Sequence, residues 1–566
     1  MLLTVLAVVS AGTRPAFAQP QQPPGSQPGA EASRFEAEVQ RQKKRVEQKK
    51  PKPPEIEVPE EKPAPEEGQI SFTLKEVIIT GSTLFKPEDL KPLYEEYVGK
   101  KVSSRDLSEI TERIKAKYKQ AGYPITIVYM PEQDIRGGRI EIRVVEGKIG
   151  ELKIEGNRFF NTSLIEKYIH IKKNEIINLK KLERDILRLL KNPDLDISTV
   201  ISPGKEPGTA DLILKVKDRF PYHAGGTYEN QGTRLTGKDR GMVTYRSTNL
   251  TGNNDSLFGA VLFAKYSDAQ SVGYTLPIDT YGTRLGFNFS RFYLKLGKEF
   301  REFDITGDSQ VYSPFFAKEL WLSETSEVDM IVGIDIKSIK KYTTGVKTAD
   351  DQLRVPYFGY EITRNDAYGQ TVLSPRFSFG TGRFLGASKK DHLTASRPHT
   401  GGFFFKYEQT LTRVQKMPFG SYAVGRCQFQ VTPQTLSPSE QLQLGGANSI
   451  RGYPEGDFLA DTGVILNFDW IFPMYCIPES VKLPYSEVPL RRQIEPVFFV
   501  DMGGGRINKA APGEKRDKFL AGIGGGIRVR LYRNVFCRFE WAKDIGAHPT
   551  SGAGPSSFHV IVQTEI

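Results

Sequence analysis

The chain has 566 residues, a net charge of +11 and 38% hydrophobic residues, which leaves room for several domains. It holds no uninterrupted apolar run of about eighteen residues, which excludes a transmembrane helix. A strand-built membrane protein stays open, because barrel strands need only about 9–11 residues with alternate ones apolar. The Lys and Arg residues are mixed with carboxylates and no recognised binding motif accompanies them, which argues against a nucleic-acid partner.

Enzymatic signals are equally thin. Cys427, Cys476 and Cys537 are odd in number and irregular in spacing, neither a disulfide framework nor a zinc site. The six histidines are scattered, with no H-E-x-x-H spacing, and no G-x-S-x-G elbow occurs. Gly522-Ile523-Gly524-Gly525-Gly526 has the look of a phosphate-cradling loop, but an alternating strand follows it where a helix should start. The sequence therefore predicts no catalytic residues, no metal site and no cofactor.

In chain order, Leu2 to Val9 is an apolar core and Ala16-Phe17-Ala18 a small-x-small cleavage site, which predicts a secretory signal peptide over 1–18. No Lys or Arg precedes that core, which leaves open whether Met1 is the true start. Residues 19–68 are rich in Pro, Gln, Glu and Lys and too polar to build a core. Within them Ala30 to Lys50 lacks Pro and Gly and favours a polar helix, whereas Pro51 to Pro65 reads as an extended, semi-rigid linker. An isolated polar helix is marginal in water, so a solvated charged spacer is the competing reading.

An internal repeat follows. Leu74 to Gly81 matches Ile149 to Gly156, and Gly81 and Gly156, Phe85 and Phe160, and Leu107 and Leu182 keep one offset of seventy-five residues. Leu107, Ile110, Ile114 and Tyr118 form one helix face in the first copy; Leu182, Ile186, Leu189 and Leu190 do so in the second. Each copy closes with alternating strands, Ile125 to Tyr129 and Ile140 to Val145, then Ile197 to Ile201 and Leu212 to Val216. The predicted order is β-α-α-β-β, twice, over 69–147 and 148–218.

From 219 to 566 the period switches to two. Leu285, Phe287 and Phe289 alternate with Gly286, Asn288 and Ser290; Val464, Leu466, Phe468 and Trp470 alternate with Asn467 and Asp469. A soluble sandwich also shows one apolar face, but a run of such strands after a signal peptide favours an antiparallel barrel, apolar outside and polar inside. Arg528, Arg530, Arg538 and Glu540 would then line the lumen. The stretch from 443 to 457, Q-L-G-G-A-N-S-I-R-G-Y-P-E-G-D, is broken by Gly445, Gly446, Gly452, Gly456 and Pro454 and predicts a long folded loop.

Two motifs carry a resemblance. Ile450-Arg451-Gly452-Tyr453 in that loop and Phe499-Val500-Asp501-Met502-Gly503 some fifty residues later resemble the signatures of the outer-membrane barrels that move or insert polypeptides. Among these, the chain most resembles the two-partner secretion transporters of the haemolysin and filamentous-haemagglutinin type, within the barrel-assembly superfamily. The resemblance implies that Arg451, on a loop folded into the lumen, meets Asp501 on the inner wall beside Phe499 and Gly503. A withdrawn guanidinium needs an anion, and its fork fixes geometry as well as charge. The repeated module resembles POTRA domains, and two copies match the secretion transporters. The resemblance also implies a sixteen-stranded transmembrane barrel and a pore-plugging role for the helix near 30–50.

The expected function is secretion of a large unfolded exoprotein, haemolysin- or adhesin-like, from periplasm to surface across a Gram-negative outer membrane. Expected partners are the exoprotein's N-terminal secretion domain, outer-membrane lipid and the barrel assembly machinery for insertion. A barrel assembly or insertion factor shares the two motifs, and a passive porin with periplasmic binding modules explains the barrel alone. The chain ends on Ile566 where many such barrels end on an aromatic, which weakens a standard C-terminal assembly signal.

Overall fold

The computed structural model describes residues 22–47, 56–57, 71–135, 137–484, 486–531, 534–550, 554 and 556–566. The signal-peptide segment and most of the linker lie outside the described residues.

The first repeat builds a sheet in which Glu76–Thr80 pairs parallel with Arg139–Glu146, which pairs antiparallel with Thr126–Tyr129. Over it packs the helix Ser104–Ala121, whose buried face is Leu107, Ile110, Ile114 and Tyr118. Its start is fixed by reciprocal bonds between Ser103 and Asp106, whose side chain accepts from the Ser103 backbone N–H at 2.7 Å. The second repeat has the same plan: Lys148–Glu155 parallel to Thr209–Asp218, which is antiparallel to Leu195–Pro203, under the helix Leu179–Leu190. The shared glycines now have a cause. Gly81 and Gly156 take φ of +82° and +90°, and a Cβ there would meet the carbonyls of Val144 and Val216 at 2.1 and 2.5 Å. The first copy departs from the predicted order by an added pair of short strands, Ser71–Thr73 and Lys101–Ser103.

The chain then closes sixteen antiparallel strands into a barrel, in sequence order around the ring. They are β1 Tyr222–Glu229, β2 Arg240–Ser247, β3 Ser256–Ala264, β4 Ser267–Pro277, β5 Thr283–Lys295, β6 Ile305–Leu322, β7 Ser326–Thr343 and β8 Val346–Asp366, followed by β9 Gly369–Thr381, β10 Phe403–Lys416, β11 Tyr422–Val431, β12 Thr462–Ile471, β13 Ile494–Arg506, β14 Asp517–Leu531, β15 Val535–Asp544 and β16 Ser556–Glu565. β1 and β16 pair over five residues, Gly225↔Glu565 to Glu229↔Ile561, so no edge is left open. The side chains sort by parity. Leu285, Phe287, Leu466, Phe468 and Trp470 are exposed on the outer wall, where lipid replaces water as their solvent. Asp501, Arg538 and Glu540 are buried on the inner one. Arg528 pairs with Glu540 there, and Arg530, more open, reaches Glu495. Because the second module feeds directly into β1, the start of every odd strand is periplasmic.

Helix α1, Pro28–Glu47, lies inside this ring. Its partners prove the position, since they come from strands on opposite sides: Arg240 of β2, Ser309 of β6, Glu361 of β8 and Gln563 of β16. Polar on most faces, the helix still buries Ala32, Phe35 and Val39 against Phe258, Leu262 and Phe292. The linker residues Ile56–Glu57 pair parallel with Thr199 and Val200, on the outer edge of the second module's sheet.

Candidate functional site: the lumenal loop and its anchor

Between β11 and β12 the chain turns back into the lumen. Two short strands, Leu442–Leu444 and Phe458–Ala460, pair to form its stem. Leu442, Leu444, Ile450, Tyr453 and Phe458 form a small buried core with Ile465 and Leu520 of the wall. Apolar burial therefore holds the loop's body, and charge fixes its tip.

Arg451 is the tip. Its backbone N–H donates to Asp501 Oδ2 at 3.0 Å, its Nε to the same oxygen at 2.6 Å, and its Nη2 to Asp501 Oδ1 at 2.8 Å. The remaining donors reach Glu540 at 3.1 Å and Asp469 at 2.5 Å, while the guanidinium carbon stands 3.5 Å from the Phe499 ring centroid. One planar cation thus meets three carboxylates and an aromatic face, a set only a fork-shaped donor can serve. Arg451 is 4% exposed and Asp501 fully buried, so water screens neither.

The network extends beyond the predicted pair. Arg528 bridges Asp469 at 2.6 Å and Glu540 at 2.7 Å. Asn467 donates to Asp501 Oδ1 at 2.8 Å and to the Ser449 carbonyl at 2.5 Å, and accepts from Arg426 Nε at 3.0 Å. Arg451, Arg528 and Arg538 face Asp501, Asp469 and Glu540, so each carboxylate of the cluster has a guanidinium partner. That pairing makes their burial tolerable. Ile450 is fully buried, Gly452 donates its N–H to Ser557 Oγ at 3.2 Å, and the Tyr453 hydroxyl donates to the Ala521 carbonyl at 3.2 Å. Gly503 leaves room for Ile450, whose Cδ1 would stand 2.9 Å from a Cβ there. Asp469, Asn467, Arg528 and Glu540 read in the sequence as polar members of alternating strands, but only the barrel's register brings them, from β12, β14 and β15, to one point beside Asp501 of β13.

Helix α1 docks on the same loop. Gln443 donates to the Ala30 carbonyl and to Ser33 Oγ, both at 2.8 Å, and accepts from Arg34 Nε at 3.2 Å. Arg34 also donates to the Gly25 carbonyl at 2.7 Å. One turn further along the helix from Arg34, Glu38 meets Arg240 at 2.8 Å, and Arg240 meets Glu229. Thr233 and Thr236 both donate to Glu31, at 3.0 and 2.9 Å.

Comparison with known proteins agrees with this architecture. The family described as haemolysin secretion/activation protein ShlB/FhaC/HecB matches residues 208–529, a ShlB-type POTRA domain matches 72–147, and a surface-antigen variable-number repeat matches 148–219. The chain is 22% identical to the heme/hemopexin transporter protein HuxB of Haemophilus influenzae, over 78% of this chain and 77% of that one. It is 23% identical to the outer membrane transporter CdiB of Dickeya dadantii, over 68% and 69%. In three dimensions it is similar to CdiB from Escherichia coli, with a TM-score of 0.74 at 19% identity, covering 95% of this chain and 98% of that one. BamA from Haemophilus ducreyi has the same fold at a TM-score of 0.52 and 13% identity, over 88% and 100%. The family model that matches more than half of the chain is that of the secretion proteins. The chain belongs to the haemolysin secretion/activation family, two-partner secretion transporters of the outer membrane whose POTRA domains stand in the periplasm.

Proposed function

We propose that export is gated by helix α1 docked on the Arg451 loop, and that the two part when the client passes. The observation that carries this reading is their shared joint, where Gln443 holds Ala30, Ser33 and Arg34 together. In the resting chain α1 plugs the lumen. Asp501, Asp469 and Glu540 anchor the loop tip, so the loop can release the helix without losing its own register. The client, a large unfolded exoprotein of the haemolysin or adhesin-like type, is captured through its N-terminal secretion domain. Thr126–Tyr129 is the edge of the first module's sheet, with Ile127 and Tyr129 exposed. This edge, unpaired among the described residues, accepts an extended chain by main-chain pairing, which tolerates many sequences. The corresponding edge of the second module is already taken by linker residues 56–57, so a client binding there displaces the linker that leads to the plug. Insertion of the barrel itself is assigned to the barrel assembly machinery.

The test is a reversible lock. With the three native cysteines changed to serine, Gly29→Cys with Ser439→Cys, whose Cβ atoms would stand 3.2 Å apart, joins helix and loop by a disulfide. Export is expected to stop under oxidation and resume on reduction. Undiminished export by the oxidised chain would show that the two need not separate.

A further inference from the structure

One periplasmic connection is out of scale. Between β12 and β13 lie residues 472–493, whereas the turns leading into β5, β7, β9 and β11 span two to five residues. This loop grows from the outer wall, not the lumen. Phe468, Trp470 and Phe498 are exposed there, and the Phe472 ring continues their row, 6.2 Å from Trp470 and 5.8 Å from Phe498. Tyr475 stacks on Phe472 at 6.4 Å with the rings 4° from parallel, and its hydroxyl donates to the Phe419 carbonyl at 2.9 Å. Phe419, at the tip of the neighbouring turn, is 89% exposed.

A basic group sits on this aromatic row. The Arg491 guanidinium lies 5.6 Å over the Tyr475 ring. Arg491 and Arg492 both reach the same Glu479 oxygen at 3.4 Å, so two cations share one anion and one positive charge is left over. Arg491 Nε is buried and donates to no acceptor.

We propose that this loop is a membrane foot. Its aromatic row lies at the acyl–headgroup boundary of the periplasmic leaflet, where amphipathic rings are favoured, and Arg491 and Arg492 pair with a phospholipid phosphodiester, an anion their forked donors fit. The foot pins the periplasmic ends of β12 and β13, the strands that carry Asp469 and Asp501. The wall behind the Arg451 anchor is thereby held against the bilayer while the lumen changes occupancy. The site is independent of whether α1 is the plug.

The test uses the full mature chain with Cys427, Cys476 and Cys537 changed to serine, a nitroxide on Phe419→Cys, and phosphatidylethanolamine/phosphatidylglycerol vesicles. Heat-modifiable electrophoretic mobility confirms a folded barrel. The label is expected to be several-fold more accessible to oxygen than to a water-soluble nickel chelate, relative to the same label at Lys172→Cys in the periplasmic module. An aqueous profile at 419 matching that at 172 overturns the proposal. Adding Arg491→Gln and Arg492→Gln is expected to shift the 419 label several-fold toward the aqueous value. An unchanged profile in that variant overturns the phosphate contact.

Discussion

Gly522 lies directly beneath the Arg451 carbonyl: a Cβ on Gly522 would stand 2.0 Å from that oxygen. The loop tip therefore rests on a wall position where no side chain fits, and the obstacle to any substituent is backbone. Gly522→Ala is expected to push the loop off its seat at an overpacking cost of about 1–3 kcal/mol. The barrel should still assemble, read as unchanged heat-modifiable mobility, while exoprotein export falls. Wild-type export by this variant would mean that the seat is not needed for transport.

Arg451→Ala removes the ion-pair partner of Asp501 and one partner each of Asp469 and Glu540. Breaking a buried pair by removing one partner costs about 3–5 kcal/mol, because the other charge stays buried. Export should be impaired more than membrane insertion. Arg451→Lys should resemble the alanine variant, since an ammonium cannot serve both Asp501 oxygens, Glu540 and Asp469 in their observed directions. Adding Asp501→Asn to Arg451→Ala removes the orphaned charge. It should recover part of the lost thermal stability without recovering export, a non-additivity that melting and secretion assays together can read.

Much of this was legible in the sequence, for physical reasons that differ by region. The helix faces at Leu107–Tyr118 and Leu182–Leu190 are periodic because one side packs and the other meets water, so pattern alone located them. The two motifs around Arg451 and Asp501 were legible through resemblance. What stayed hidden is what depends on register across distant strands. Nothing local marks Asp469 or Glu540 as partners of Arg451, because polar residues recur on every inner wall. In the sequence the glycine run at 522–526 resembles only a poor phosphate loop. Its position under Arg451 needs the barrel closed before it can be seen. The placement of α1 was likewise open, since a polar helix suits water and a polar lumen equally well.

Glu146 in the first module predicts an acid response. It accepts from the Thr83 and Leu84 backbone N–H groups at 2.9 and 3.0 Å, from the Tyr118 hydroxyl at 2.9 Å and from the Thr83 hydroxyl. Burial acts to raise its carboxyl, but these donors outweigh burial and hold it below the usual carboxylate range. Burial pushes the Tyr118 hydroxyl up, so it stays a donor throughout the working range. A folded value below the unfolded one, about 4.3 for Glu, means that the stabilisation is present above that pH and is lost as pH falls through the lower, folded value. Urea unfolding of residues 71–218, which carry their own two buried cores, should show this loss on the acid side. Glu146→Gln should be less stable at neutral pH with a flatter acid limb. An equally steep acid limb in the variant would assign the response to other carboxylates.

Single-channel conductance in planar bilayers separates the roles of α1 and the loop. Helix α1 is fastened to Gln443 of the loop and, along the barrel wall, through Glu31 to Thr233 and Thr236, Glu38 to Arg240 and Lys44 to Glu361, and Phe35 is buried against Phe292. A helix so held is expected to block ions while these contacts persist. The full mature chain is expected to show small or intermittent conductance, and a chain lacking residues 19–50 large and steady conductance. Glu38→Ala removes one fastening and leaves Arg240 its partner Glu229, so brief openings should become more frequent without full opening. Equal, large conductance in the full and shortened chains would reduce the helix to a spacer. Negligible conductance in both would place the block in the Arg451 loop itself, whose buried stem and paired charges remain when the helix is gone.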